Sequence, residues 1–201
     1  MHPEEAEEHL AVIRDAMERT TRYTGVPAYA CLTAGALSLM GAGACWLMEI
    51  DFHSPLHARK LARVWASVCA LGILQFVILT VLAVRRRGES AWSRLAQRVV
   101  AAVLPGIYVG AALSAFCGIT GNVDYLPPFW CLCYGTSVLG LGLYAGWKAN
   151  LVGCLFLLAG TFGLHLFKEH GVGLMAVSFG GFHLVLGVLI LLRHEPRRLE
   201  D

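Results

Sequence analysis

Six stretches of the chain, residues 26–50, 64–84, 99–120, 126–147, 149–167 and 172–192, carry no Asp, Glu, Lys or Arg in their middle. A helix rises 1.5 Å per residue, so about twenty apolar residues are what it takes to cross the hydrocarbon of a bilayer. Helices of water-soluble domains keep a polar face instead. The six runs fill about two-thirds of the 201 residues, which leaves no room for a globular domain between them. Charged residues make up 15% of the chain, against about a quarter in soluble domains. A soluble globular enzyme, a disordered chain and a nucleic-acid-binding domain are excluded on these grounds. The expected fold is an all-α, polytopic integral membrane helical bundle of six transmembrane helices, preceded by a cytoplasmic amphipathic helix. Residues 1–25 form that helix, 26–193 the transmembrane domain and 194–201 a short cytoplasmic tail.

Positive charge sets the direction of insertion. With an even number of spans, both termini share one side with the second and fourth loops. That side holds Arg14, Arg19, Arg22, Arg85, Arg86, Arg87, Arg94, Arg98, Lys148, Arg193, Arg197 and Arg198. The other holds Arg59, Lys60, Arg63 and Lys168. Both termini are therefore expected in the cytoplasm. The first 25 residues are too charged for a secretory signal, and on this reading nothing is cleaved.

His2-Pro3-Glu4-Glu5 suits a helix start, with acids at the positive end of the dipole. Ala6, Leu10, Ile13, Met17 and Thr20 then recur at helical spacing. Lipid-surface helices are rich in Lys and Arg, whereas this one opens with acids. It is read as a cap on its own bundle or as a docking face for a protein partner. Between the second and third runs, Ser90 is the expected helix cap, and Trp92, Leu95 and Val99 share a face at headgroup level.

Within a bilayer, close approach of helices needs small residues. Ala30, Ala34, Ser38 and Ala42 form such a stripe on the first run, Gly142 and Gly146 a GxxxG pair on the fourth, and Gly173, Gly180, Gly181 and Gly187 lighten the sixth.

Proton or cation coupling usually needs an ionisable side chain inside the membrane. The runs offer only Gln75, Tyr108, Tyr134, His183 and scattered Ser and Thr. His183, mid-run between glycines and leucines, is the candidate cofactor-binding residue, read either as a haem ligand or as a neutral histidine bonded across helices. His165 lies about 13 Å from it in depth at 1.5 Å per residue, which disfavours a bis-histidine haem and leaves Met40 as the other candidate ligand. Glu49, Asp51, His53 and His57 are candidate metal ligands at the end of the first run, set against a solvated loop rim. Cys117 and Cys131 fall at similar depth, so a disulfide between them is geometrically open. No catalytic triad, phosphate loop, zincin or dinucleotide pattern occurs, so neither an enzyme nor a resident cofactor is expected.

Ile13-Arg14-Asp15-Ala16-Met17-Glu18-Arg19-Thr20-Thr21-Arg22-Tyr23 before a small-residue span resembles the start of a family of uncharacterised bacterial membrane proteins, which open with an IRxxMERS-type helix. Gly180-Gly181-Phe182-His183-Leu184-Val185-Leu186-Gly187 resembles that family's glycine-His segment near the C-terminus. Position 186 is often Tyr there and is Leu186 here, which weakens the idea of a His–Tyr pair in this chain. The resemblance implies a small multi-pass protein of the bacterial inner membrane. A winged-helix regulator associated with the family suits the N-terminal helix as a docking surface. The functional expectation is a non-enzymatic subunit, scaffold or sensor that sits in the lipid bilayer and binds a protein partner. The alternatives are a small permease or channel with its path along the sixth helix, and a metal- or haem-binding redox protein.

Overall fold

The computed structural model describes residues 27–50, 55–86, 88, 90, 92–165 and 170–192. Among the described residues all regular structure is helical. The helices are α1 (Ala28–Leu47), α2 (Pro55–Arg86), α3 (Arg94–Thr120), α4 (Leu126–Ala145), α5 (Trp147–His165) and α6 (Gly171–Leu191), with a 3-10 turn, Val123–Tyr125, leading into α4. Among the described residues, six helices are long and apolar enough to cross a membrane. The expected N-terminal helix and the C-terminal tail lie outside the described residues.

Punctuation in the sequence accounts for the boundaries. Ser93, rather than Ser90, caps α3 by accepting a 3.2 Å hydrogen bond from the Ala96 N–H, so the helix starts five residues before the uncharged run. Gly121 ends it in the left-handed conformation, φ 78°, that lacks a Cβ penalty. Pro127 and Pro128 occupy the first turn of α4, where a missing N–H costs nothing.

Helix α6 is the centre of the packing. It lies against α1 on one side and against α4 and α5 on the other, while α2 packs on α1 and α3 on α4. Two buried clusters result. One joins Ala42, Cys45, Leu61, Val172 and Ala176 across α1, α2 and α6, and the other joins Cys131, Val152 and Phe156 to α6. The peripheral helices are barely covered: 6% of the apolar window of α2 and 11% of that of α3 are buried, against 33–44% for the other four.

Small residues let α1 and α6 approach. Ala30, Ser38 and Ala42 of the small stripe are buried and Ala34 is half-buried. A Cβ on Gly35 would lie 2.8 Å from Leu184 Cγ and 2.9 Å from the Gly180 carbonyl, so no larger residue fits that crossing. Gly180 and Gly187 do pack against α1, whereas Gly173 and Gly181 face open space. Of the Gly142–Gly146 pair only the first serves a helix contact. Gly146 terminates α4 at φ 90°, and Gly142 faces Asn150 of α5.

Polar side chains add a few interhelical bonds, the expected device where the surroundings are apolar. Gln75 Nε2 of α2 donates to the Ala30 carbonyl of α1 (3.2 Å), and its Oε1 lies 2.6 Å from Thr33 Oγ1. Trp130 Nε1 of α4 donates to Ser114 Oγ of α3 (2.9 Å). Lys148 Nζ donates to the Leu189 carbonyl (3.1 Å), tying the start of α5 to the end of α6.

Candidate functional site

Helix α6 is not a uniform α-helix. Gly171–Met175 and His183–Leu191 are α, and the seven residues Ala176–Phe182 between them are π. Insertions of this kind are rare and concentrate at functional sites. Gly180 and Gly181, poor α-formers both, lie inside the segment. Ser178 Oγ donates back to the Leu174 carbonyl at 2.6 Å.

The π segment decides which side chains share a face. Ser178 and His183, five residues apart, would point about 140° apart on an α-helix. An i→i+5 winding brings residues at that spacing nearly into line. Both then face α4, where Cys131 and Tyr134 lie three apart and so on one side. Two rungs form: Cys131 Sγ donates to Ser178 Oγ at 3.3 Å, and Tyr134 Oη lies 2.7 Å from His183 Nε2. The neutral arrangement that satisfies the second rung has the phenol donating to Nε2 and the ring proton on Nδ1, an assignment made from the bonding pattern. Nδ1 is buried without a partner of hydrogen-bond geometry, and the Phe179 carbonyl interacts with the ring without reaching that geometry.

Aromatic rings enclose the pair. Phe156 of α5 is fully buried and meets Tyr134 at 4.8 Å, Phe179 at 4.9 Å and Phe182 at 5.3 Å between centroids, each nearer perpendicular than parallel. Phe179 stacks on His183 at 6.1 Å with 16° between planes. These are preferred edge-to-face and stacked geometries. A bonded imidazole and phenol inside such a cage hold α4, α5 and α6 in one register.

Tyr134→Phe is expected to leave Nε2 buried and unsatisfied, at a cost of about 1–2 kcal/mol for an interhelical bond of this kind. Replacing His183 by Leu in the same chain should recover part of that loss, because both polar groups are then gone. Denaturation in mixed micelles reads both. If the double variant were as unstable as the sum of the two singles, the rung would contribute nothing.

Among the sequence candidates, His183 is mid-helix and bonded across helices, one of the two roles anticipated for it. Its partner is the surprise. The departure at Leu186 argued against a His–Tyr pair, yet the pair is present, with the tyrosine supplied by α4, while Leu186 packs against the same cluster. Met40 is 70% exposed, turned away from the core, and cannot serve as a second ligand to a group held by His183. His165 ends α5 and is exposed. Glu49 is exposed in the turn after α1 with φ 48°, His57 is half-buried in the first turn of α2, and Asp51 and His53 lie outside the described residues. No group of three potential metal ligands forms among the described residues. Cys117 and Cys131 are not bridged, since all seven cysteines are free thiols and Cys131 is turned to Ser178 of α6. Ser178, Phe156 and Phe179 were not anticipated, and a search for residues five apart flanking a glycine pair is the signal that finds the first.

Comparison of the chain with protein-family models, with curated proteins and with solved structures finds no match in any of the three.

Proposed function

We propose that the chain is a six-span protein of the bacterial inner membrane, with both termini cytoplasmic, that serves as a non-enzymatic subunit, scaffold or sensor binding a protein partner. The observation that carries this reading is the contrast between its core and its edges. The centre is filled, and its one imidazole is bonded to Tyr134 and enclosed by Phe156, Phe179 and Phe182. Transport along α6 would need that side chain to face a wet path. At the edges, α2 and α3 leave most of their apolar length uncovered. The twelve-to-four distribution of Lys and Arg supports the orientation, and the resemblance at the two ends of the chain supports the choice of membrane.

Affinity purification of the full chain from its host in a mild detergent, followed by mass spectrometry, tests the reading. A stoichiometric protein partner that is lost when residues 1–24 are deleted is the expected result. Vesicles that become permeable to small solutes with the purified chain, and tight again with His183→Ala, would replace the proposal with a channel.

A further inference from the structure

The link from α2 to α3 gathers positive charge that no described residue balances. Arg85 and Arg86 close the last turn of α2, and Arg94 and Arg98 stand in the first two turns of α3, with only residues 87–93 between the pairs. All four are exposed, and none makes a hydrogen bond or an ion pair with a described residue. Lys148, by contrast, is engaged on the Leu189 carbonyl. Among the described residues the acidic side chains are Glu49 and Asp124, both at the far ends of these helices.

The helix itself opposes this arrangement. Arg94 and Arg98 are four apart, the spacing at which like charges on one helix repel. They also stand toward the positive end of the α3 dipole, and the first turn holds no acid to offset it. An anion at this turn relieves both penalties.

What lies beneath the arginines sets the kind of anion. On α2, Ile78, Leu82 and Arg86 follow one another at four-residue spacing, and all three are exposed. On α3, Ala101 and Leu104 continue the exposed face below Arg98. Each helix is therefore a rail, with guanidinium groups at its end and apolar side chains running inward from them. A soluble phosphate or a phosphopeptide would leave both rails bare. A molecule with an anionic head and apolar tails covers the whole surface. Trp92, exposed and between the two pairs in the chain, adds the indole that favours headgroup depth.

We infer that the α2–α3 turn binds an anionic phospholipid, its phosphodiester held by Arg85, Arg86, Arg94 and Arg98 and its acyl chains laid along the Ile78–Leu82 and Ala101–Leu104 faces. The guanidinium fork matches phosphate oxygens two at a time, which an ammonium cannot do. The inference rests on the membrane reading above, but on no protein partner and on neither choice of orientation.

Native mass spectrometry of the purified full chain, offered phosphatidylglycerol and phosphatidylcholine together in mixed micelles, reads which lipid is retained. The unaltered chain should favour phosphatidylglycerol by about tenfold or more, and each arginine replaced by Gln should lower that preference roughly threefold to fivefold. With all four replaced, the two lipids should be retained equally. Arg94→Lys with Arg98→Lys keeps the charge and should keep part of the preference. Arg59→Gln with Arg63→Gln removes as much charge at the far end of α2 and should leave the preference as it was. Every substituted side chain is exposed, so these variants retain the fold. Equal retention of both lipids by the unaltered chain overturns the inference. So does a preference that survives loss of all four arginines, or one that falls as far with Arg59 and Arg63 as with Arg94 and Arg98. Glycerol phosphate, a headgroup without tails, should not displace the lipid; displacement at comparable concentration would make this a site for a soluble phosphate instead. Carbonate extraction separates the failures: release of the chain from membranes sinks both proposals, whereas an embedded chain without lipid preference sinks only the site.

Discussion

Phe156→Ala is expected to destabilise the bundle by about 3 kcal/mol, the lower end of the range for this truncation in soluble cores. In the membrane proposed for this chain the apolar ring gains little from leaving water, so the loss is one of contacts and of the void left behind. Phe156 is where that loss is greatest. It is fully buried and touches Tyr134, Phe179, Phe182 and His183 together, so its removal leaves the Tyr134–His183 rung without a wall. Unfolding in mixed micelles measures the change, and Phe156→Leu should lose less than half as much. A change below about 1 kcal/mol for the alanine variant would mean that the rings are not packed as described.

Gly106→Val is expected to be worse, at more than about 3 kcal/mol or outright failure to fold. A Cβ at Gly106 would collide with Ser137 Oγ and with the Cys133 carbonyl, both on α4. Backbone cannot step aside as a side-chain tip can, so α3 would have to withdraw. The 2.9 Å bond from Ser137 Oγ to the Val103 carbonyl would be lost with it. Even Gly106→Ala should be strongly destabilising, because the first carbon is the one that collides. Gly118, on the same helix with nothing within 4 Å, is the control. There alanine should stabilise by up to about 1 kcal/mol on helix propensity. Equal effects at the two positions would show that the crossing of α3 and α4 is looser than drawn.

The helices were legible because nothing competes with the signal: a run of some twenty residues without charge has few other fates. Ends were legible only where chemistry was unambiguous. Pro127 and Pro128 open α4 within a residue of the start of the fourth run, but Ser93 took the cap from Ser90, since the two serines offer the same side chain and only the path of the preceding turn selects between them. The small stripe of α1 was visible as a pattern, whereas of Gly142 and Gly146 only the first has the role, set against Asn150 of α5, while the second ends the helix. The contacts of His183 were not legible. A pattern read at 3.6 residues per turn sends Ser178 and His183 to different faces, and the seven π residues between Met175 and His183 reverse that. Tyr134 stands out in the sequence only as one polar side chain among several, because its depth can be read there and its azimuth cannot.

The position of α6 has a consequence for how the chain is made. Of the six described helices it is the last to leave the ribosome, and the one on which α1, α4 and α5 all rest. Until it emerges, α1 packs chiefly on α2, and Gly35 waits without Leu184 and Gly180 opposite it. Chains translated as far as α5 are therefore bundles with an open seam, the state in which a folding factor or a protease finds the most to grip. Closure of the six described helices is a single late event, timed by the arrival of residues 171–191.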